Sequence, residues 1–143
     1  MTLDDTVRDH LRASGILNQK TFQATTDLMP FEWYEERLDS MDFRRLYICT
    51  DMPQDPYLKY FDKYDPIMAG GSELQDFNLL RSANRIICCN STFSWWAAWL
   101  SDASEIYLPR VFYGTWSCKD VDLVVDDLPQ YKVSDVWARG RFF

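Results

Sequence analysis

Four polar residues lie between an apolar run and the tryptophan-rich stretch WWAAWL, interrupted only by Phe93, and they are Asn90, Ser91, Thr92 and Ser94. If a strand ends and a helix begins here, the first N–H groups of the helix lack partners and carry a partial positive charge. Hydroxyl and amide groups around such an end form a cup suited to phosphate. A plain helix cap made by Ser91 or Asn90 is the alternative explanation.

The elements around this junction alternate between strand and helix. We predict strands over 44–50, 85–90 and 105–110, and helices over 30–41, 73–83 and 91–102. The first of these helices has Phe31, Tyr34 and Leu38 on one apolar side, and Ser72 caps the second. We also expect a helix from Thr2 to near Gly15, and VFYGTWS is a short segment after the last strand. The segment 55–64 is a short helix or an irregular stretch, and 66–71 is a brief strand or an extended connection. The rhythm predicts an α/β fold, a three-layer Rossmann-like parallel sheet with helices on both faces. In such sheets ligands bind beyond the carboxyl ends of the strands, where residue 90 falls.

The composition indicates one packed domain that spans 1–143. Hydrophobic residues make up 47% of the chain and aromatic residues 16%, while the formal net charge is −7. This charge argues against nucleic acid or an anionic membrane as the main partner, because no surplus of cations exists to neutralise phosphates. No apolar run approaches the roughly 18 residues of a membrane span, and MTLDDTVRDH lacks the apolar core of a signal peptide. We therefore expect a cytoplasmic protein.

The residues that most often build metal sites and nucleophilic triads are scarce. The chain has four cysteines, none in a C-x-x-C pair, and a single histidine, His10. Three of the cysteines lie in or beside apolar runs, so we predict buried free thiols. Zinc binding and hydrolase chemistry are therefore disfavoured, and we expect neither a metal nor a cofactor.

The helix after the junction is apolar on nearly every side. Its residues at helical spacing are Phe93, Trp96, Ala97 and Leu100, and Trp95, Ala98 and Trp99 occupy the opposite side. A helix with this pattern is normally enclosed on all sides. We therefore predict that the tryptophans are core residues.

The run DFNLLRSANRIICCNSTFSWWAAWL, residues 76–100, resembles a signature segment of the alpha-1,2-fucosyltransferase family. The similarity extends more weakly over 30–115. PFEWYEERLDSM resembles the family helix that carries a tyrosine, LYICTD the strand that ends in Ser/Thr-Asp, and EIYLPRVFYG the following strand with its proline.

This resemblance implies one half of a GT-B architecture, in which two Rossmann-like domains face each other. The C-terminal domain of the family holds GDP-fucose, and fucose passes to a galactose hydroxyl with inversion and without a required metal. The positions that match the diphosphate contacts are Asn90, Ser91 and Thr92, with Ser94 nearby. The positions that match nucleoside contacts are Thr50, Asp51 and Asp76. A turn cap at Asp51 and a solvated helix residue at Asp76 are the alternatives.

Two features of the family have no clear counterpart. The family carries His-x-Arg-Arg-Gly-Asp after a hydrophobic strand, whereas this chain has only His10-Leu11-Arg12 followed by Gly15. His10 and Arg12 are weak candidates for that motif, and an exposed helix end is the alternative. We also expect no acceptor-binding domain, because the resemblance begins near residue 30. Residues 1–29 and 116–143 are segments that the sequence places poorly.

Three functions remain open. The first is a GDP-sugar-binding domain that works with a partner chain or as a homo-oligomer. The second is a noncatalytic relic or interaction module that kept the fold and lost the ligand. The third is a minimal glycosyltransferase completed by dimerisation. No residue is assigned as the base or as the clamp on the leaving phosphate that inverting transfer requires.

Overall fold

The computed structural model describes residues 29–89, 91–110 and 124–135. Its helices are α1 (Phe31–Ser40), α2 (Glu73–Arg81) and α3 (Thr92–Trp99), and a 3₁₀ helix spans Pro56–Tyr64. Its strands are β1 (Tyr47–Ile48), β2 (Ile67–Met68), β3 (Arg85–Ile87), β4 (Glu105–Arg110) and β5 (Tyr131–Asp135). The helix expected near the N-terminus and the segment VFYGTWS lie outside the described residues.

All of the described strand pairs are parallel. β1 pairs with β2, and β3, β4 and β5 form a second ladder in that order. The register aligns Ile86 with Ile106 and Ile87 with Tyr107. Because side chains alternate across a strand, Ile86 and Ile87 point to opposite faces, and each meets its own layer of helix. The predicted α/β fold with a parallel sheet is confirmed.

One face of the sheet is covered by α1 and the 3₁₀ helix. Phe31, Leu38, Tyr57 and Phe61 form a buried cluster, against which further half-buried side chains pack, among them Ile87. The rings of Phe31 and Phe61 meet edge to face with their centres 5.1 Å apart. The apolar side predicted for α1 is confirmed, and burial of each large apolar side chain contributes about 1.5–3 kcal/mol.

The other face is covered by α3. Its Ala98 packs with Ile86, Cys88, Ile106 and Leu108 in a second buried cluster. Small side chains allow the backbone of the helix to lie close to the sheet, which leaves little room between the two layers for a large ring. The start of α3 is held beside the end of β3 by the Ser94 hydroxyl, which lies 3.3 Å from the Cys89 carbonyl.

The prediction that α3 is enclosed on all sides is wrong. Ser94, Ala97 and Ala98 are buried and Trp95 is half-buried against the cluster on the sheet, whereas Phe93, Trp96, Trp99 and Leu100 are 39%, 51%, 46% and 53% exposed. Because both sides of the helix are apolar, the sequence pattern could not show which side faces the sheet. Close packing selected the small residues.

The strand β5 was not predicted. It begins at Tyr131 inside a segment that the sequence placed poorly, and it continues the ladder beside β4 as far as Asp135. The predicted strands over 44–50 and 85–90 are each correct in place but shorter, at Tyr47–Ile48 and Arg85–Ile87. Among the described helices none is long and apolar enough to cross a membrane.

Candidate functional site

The junction after β3 forms a capped helix start. The Ser91 hydroxyl oxygen accepts a hydrogen bond from the Phe93 N–H at 3.1 Å, and the Ser91 carbonyl accepts from the Trp95 N–H at 3.0 Å. The plain cap proposed for Ser91 is therefore present. Asn90 lies outside the described residues, so its predicted contact with a diphosphate stays a prediction.

Ser94 points into the protein. Ser94 is only 6% exposed. Its hydroxyl lies 3.0 Å from the Ser91 carbonyl and 3.3 Å from the Cys89 carbonyl, and it can donate its proton to either one. A hydroxyl has a single proton to donate. In this arrangement Ser94 holds the junction in shape, and its predicted place near a diphosphate stays a prediction.

The thiols of Cys88 and Cys89, at the junction, stay protonated at neutral pH. Burial raises the pKa of Cys88 to about 12, and the thiol donates to the Ser94 carbonyl at 3.7 Å. Burial also raises the pKa of Cys89, whose sulfur lies 3.6 Å from the Ser94 hydroxyl. Because the thiolate is the reactive form, neither cysteine is poised as a nucleophile at neutral pH. The predicted buried thiol is confirmed at Cys88, and Cys118 lies outside the described residues.

Thr92 is the part of the junction that faces solvent. It is the first residue of α3 and is exposed. The Thr92 and Ser94 N–H groups find no acceptor within the described residues, as expected for the first turn of a helix. The hydroxyl of Thr92 and these N–H groups are the donors that the start of α3 offers.

The carboxyl end of β1 carries Thr50 and Asp51. The Thr50 hydroxyl oxygen accepts from the Met52 N–H at 3.1 Å, so this side chain shapes the turn that follows the strand. Asp51 is exposed at that turn. Within the part of the chain that the structure describes, its carboxylate has no hydrogen-bond donor. It can therefore accept N–H or O–H donors from a ligand.

Asp76 lies in the first turn of α2. Ser72 and Gln75 cap this helix reciprocally, which confirms the predicted cap at Ser72, and the Asp76 carboxylate accepts from the Gly71 N–H at 3.3 Å. A Cβ at Gly71 would lie 2.7 Å from the Gln75 side chain, so only glycine fits beside this cap. Asp76 thus has a structural contact and is only half-buried.

Two contacts bring the three segments to one edge of the protein. The Cys49 thiol at the end of β1 lies 3.8 Å from the Asp76 carbonyl, and burial followed by the Asp76 charge raises its pKa to about 11. The Phe77 and Phe93 rings meet edge to face at 5.3 Å, which joins the first turns of α2 and α3. Thr50, Asp51, Asp76, Ser91 and Thr92 therefore belong to neighbouring segments. His10 and Arg12 lie outside the described residues.

Sequence reasoning missed a second polar cluster, on the face covered by α1. Arg37 of α1 donates to the hydroxyl of Ser134 in β5, and its guanidinium carbon lies 4.2 Å above the Trp33 ring. The available signal was the spacing of Trp33 and Arg37, which puts both on one side of a helix. Since β5 was not predicted, its partner residue could not be named.

A family model matches part of the chain. Residues 57–117 match the family model of glycosyl transferase family 11, a segment that runs from the 3₁₀ helix past the end of β4. The search of curated proteins and the search of solved structures each found no match. The resemblance to a fucosyltransferase-type family is confirmed for this segment. Asp76, Ser91, Thr92 and Ser94 lie within the match, whereas Thr50 and Asp51 precede it.

Proposed function

We propose that this chain is the donor-binding part of a fucosyltransferase-type glycosyltransferase and that it binds GDP-fucose. The observation that carries the proposal is the convergence of the segment after β1, the first turn of α2 and the start of α3 at one edge. The last two of these segments lie in the region that matches glycosyl transferase family 11. The edge beyond the carboxyl ends of parallel strands is where nucleotides bind in folds of this kind.

The diphosphate is assigned to the start of α3. The chain as a whole is acidic, with a formal charge of −7, so the binding of an anion must depend on local donors. The exposed Thr92 hydroxyl and the first N–H groups of α3 are such donors, and the partial positive charge of the helix end favours phosphate. Ser91 and Ser94 keep this end in shape through their bonds to Phe93 and to the junction carbonyls. Asn90 completes the proposed set.

The nucleoside is assigned to the end of β1 and the start of α2. Guanine presents an N–H and an amino group side by side, and one carboxylate accepts both. Asp51 is exposed, whereas Asp76 already accepts from Gly71. Asp51 is therefore the better candidate for the base, with Thr50 shaping its turn, and Asp76 is the candidate for the ribose hydroxyls.

Transfer of fucose requires groups that are not assigned to any described residue. An inverting reaction needs a base for the acceptor hydroxyl and positive charge for the departing diphosphate. We propose that another polypeptide or a second copy of the chain contributes the acceptor-binding surface. On this proposal, the chain by itself binds the nucleotide and transfers no sugar.

Calorimetric titration with GDP, GDP-fucose, UDP and IDP tests the assignment. We expect GDP and GDP-fucose to bind more tightly than UDP. Thr92→Val removes one hydroxyl without a contact to the rest of the described protein, and we expect binding weaker by about ten- to a hundredfold, since a hydrogen bond to a charged group contributes about 1.5–3 kcal/mol. Ser104→Ala is the control. This serine donates to the Asn84 carbonyl just before β3, at the end of the strand opposite to the proposed site.

IDP lacks the amino group of guanine and so reports on the base contact. We expect the wild-type protein to prefer GDP over IDP and Asp51→Asn to lose that preference while it keeps the affinity for IDP. Equal binding of GDP, UDP and IDP by the wild-type protein would contradict the nucleoside assignment. No binding of any nucleotide would refute the proposed function.

The second candidate is a noncatalytic interaction module. The observation that favours it is the exposure of Phe93, Trp96, Trp99 and Leu100 on α3, since soluble monomers seldom expose a contiguous apolar patch of this kind. Self-association in analytical ultracentrifugation, together with no binding of any of the four nucleotides, supports this candidate. Self-association together with GDP binding supports the donor-binding domain as a homo-oligomer.

A further inference from the structure

A groove of about 270 Å³ lies between α1 and the face of the sheet made by β4 and β5. Its lining residues are Glu36, Arg37, Ser40, Tyr107, Lys132, Val133 and Ser134. The register pairs Tyr107 with Lys132 and Pro109 with Ser134, so Tyr107, Lys132 and Ser134 share the face that α1 covers. None of the residues predicted to bind a nucleotide lines this groove.

Arg37 is the central cation of the groove. One terminal nitrogen, Nη1, donates to the Trp33 carbonyl at 2.7 Å and to the Glu36 carboxylate at 3.3 Å, and Nη2 donates to the Ser134 hydroxyl. Its Nε is buried and has no hydrogen-bond partner. Of the five N–H groups of an arginine, the one on Nε and a second one on Nη2 thus lack a protein acceptor among the described residues.

The charge of Arg37 is incompletely balanced. Its side chain is 11% exposed, but its ion-pair partner Glu36 is 62% exposed and reaches only one of its nitrogens. An ion pair with so exposed a carboxylate is weak, because water and salt screen it. Burial lowers the pKa of Arg37, because a charged guanidinium is less stable in an enclosed site than in water. A second anion in the groove would reduce this cost.

Lys132 supplies a second cation to the same groove. It is exposed, and it forms no ion pair within the described residues. Guanidinium and ammonium groups in one groove, with one carboxylate between them, form a site for an oxyanion. The volume is below that of typical drug-sized pockets, which begin at roughly 300 Å³, so it suits a single charged group.

We propose that the groove between α1 and β5 binds a phosphate or carboxylate group through Arg37 and Lys132. Glu36 competes with the anion for the guanidinium and turns toward solvent when the anion binds. The site is separate from the proposed nucleotide edge, and it extends the recognition surface of the chain to a second acidic group, carried by a free ion or by a larger ligand.

The test is a titration of the whole protein with inorganic phosphate and, separately, with glucuronate, at constant ionic strength and with GDP present at saturation. We expect saturable binding of both anions, with shifts of the Lys132 and Ser134 amide signals in NMR spectra. Lys132→Gln should weaken binding about tenfold. Glu36→Gln should strengthen it several-fold, because the competing charge is removed. Both residues are exposed, so these variants should fold.

Lys59→Gln is the matched control, because Lys59 is an exposed lysine on the 3₁₀ helix and does not line the groove. It should leave binding unchanged within about twofold. Equal weakening by Lys59→Gln and Lys132→Gln would show that only net charge matters and would overturn the proposal. Absence of saturable binding, or a loss of it in Thr92→Val, would also overturn it. A failure of GDP to bind leaves this test unaffected.

Discussion

The two faces of the sheet handle aromatic residues in opposite ways. On the face of α1, Phe31, Tyr57 and Phe61 are enclosed between a helix, a 3₁₀ helix and the sheet. On the face of α3, Ala98 packs against the sheet, whereas Trp96 and Trp99 remain half exposed. Both segments are rich in aromatic residues, so composition does not decide their burial.

The difference follows from the space between the layers. The 3₁₀ helix provides a second wall for the rings on the α1 face, where Phe31 stacks on Tyr60 with ring centres 5.5 Å apart. On the other face, the junction bonds of Ser91 and Ser94 draw the start of α3 toward β3. A helix held this close buries mainly small residues, Ser94, Ala97 and Ala98, and Trp95 reaches the cluster only as a half-buried side chain. The aromatic side of α3 thus remains available for contacts that this chain does not make among its described residues.

Truncation of the enclosed ring should have the largest effect. Phe61→Ala removes a buried aromatic side chain from the α1 face, and we expect a loss of about 3–5 kcal/mol in the free energy of unfolding. Trp96→Ala should cost less than about 1 kcal/mol, because half of this side chain is already exposed. Denaturant unfolding of both variants measures the difference. A larger loss for Trp96→Ala would show that the aromatic side of α3 is covered in solution.

Enlargement beneath α3 should have the next largest effect. Ala98→Leu places a larger side chain in the closely packed layer between α3 and the sheet, and we expect a loss of about 1–3 kcal/mol from overpacking. Trp96→Leu introduces the same residue on the exposed side, where we expect little change in stability. Thermal unfolding of the two variants gives the comparison. Equal stability of both would indicate that α3 does not lie close to the sheet.

Alkaline pH should lower the free energy of unfolding, by a smaller amount for each pH unit than the enlargement beneath α3. The pKa of Cys88 is raised from 9.0 to about 12, so above pH 9 the unfolded chain loses a proton that the folded chain retains. The unfolding free energy is therefore unaffected by this thiol below pH 9. It falls by up to about 1.4 kcal/mol per pH unit above pH 9, until the pKa of the folded state is reached.

Urea unfolding between pH 8 and pH 11 measures this slope in the wild-type protein and in Cys88→Ala. The variant should be less stable at neutral pH, because a buried side chain is lost, but it should show a shallower decline above pH 9. Cys49, whose pKa is raised to about 11, contributes to the slope that remains. Identical slopes in the two proteins would contradict the burial of Cys88.

The fold was more predictable than the arrangement within it. The apolar side of α1, the cap at Ser72 and the strand before the tryptophan helix follow from local patterns of residues, and the structure has all three. The strand β5 alternates apolar Tyr131 and Val133 with polar Lys132 and Ser134, but the run is only five residues long and its hydrogen bonds depend on β4. The pairing of a distant segment is a property of the whole chain.

The candidate site was partly predictable. The hydroxyl residues at the start of α3 could be named from their place between a strand and a helix, and Ser91 is the cap that such a place requires. The inward direction of Ser94 could not be foreseen, because it depends on the positions of the Cys89 and Ser91 carbonyls. The groove beside Arg37 could not be predicted either, because it depends on the position of Ser134 in a distant strand.

The sequence by itself determined where the three helices and the strands β3 and β4 begin, since capping, periodicity and β-branched runs act over a few neighbouring residues. The tertiary structure decided which side of α3 faces the sheet, which polar groups share the edge near Asp51 and Thr92, and which residue meets Arg37. These outcomes depend on volumes and distances between segments far apart in the chain. The free energy of close packing is set only when those segments meet.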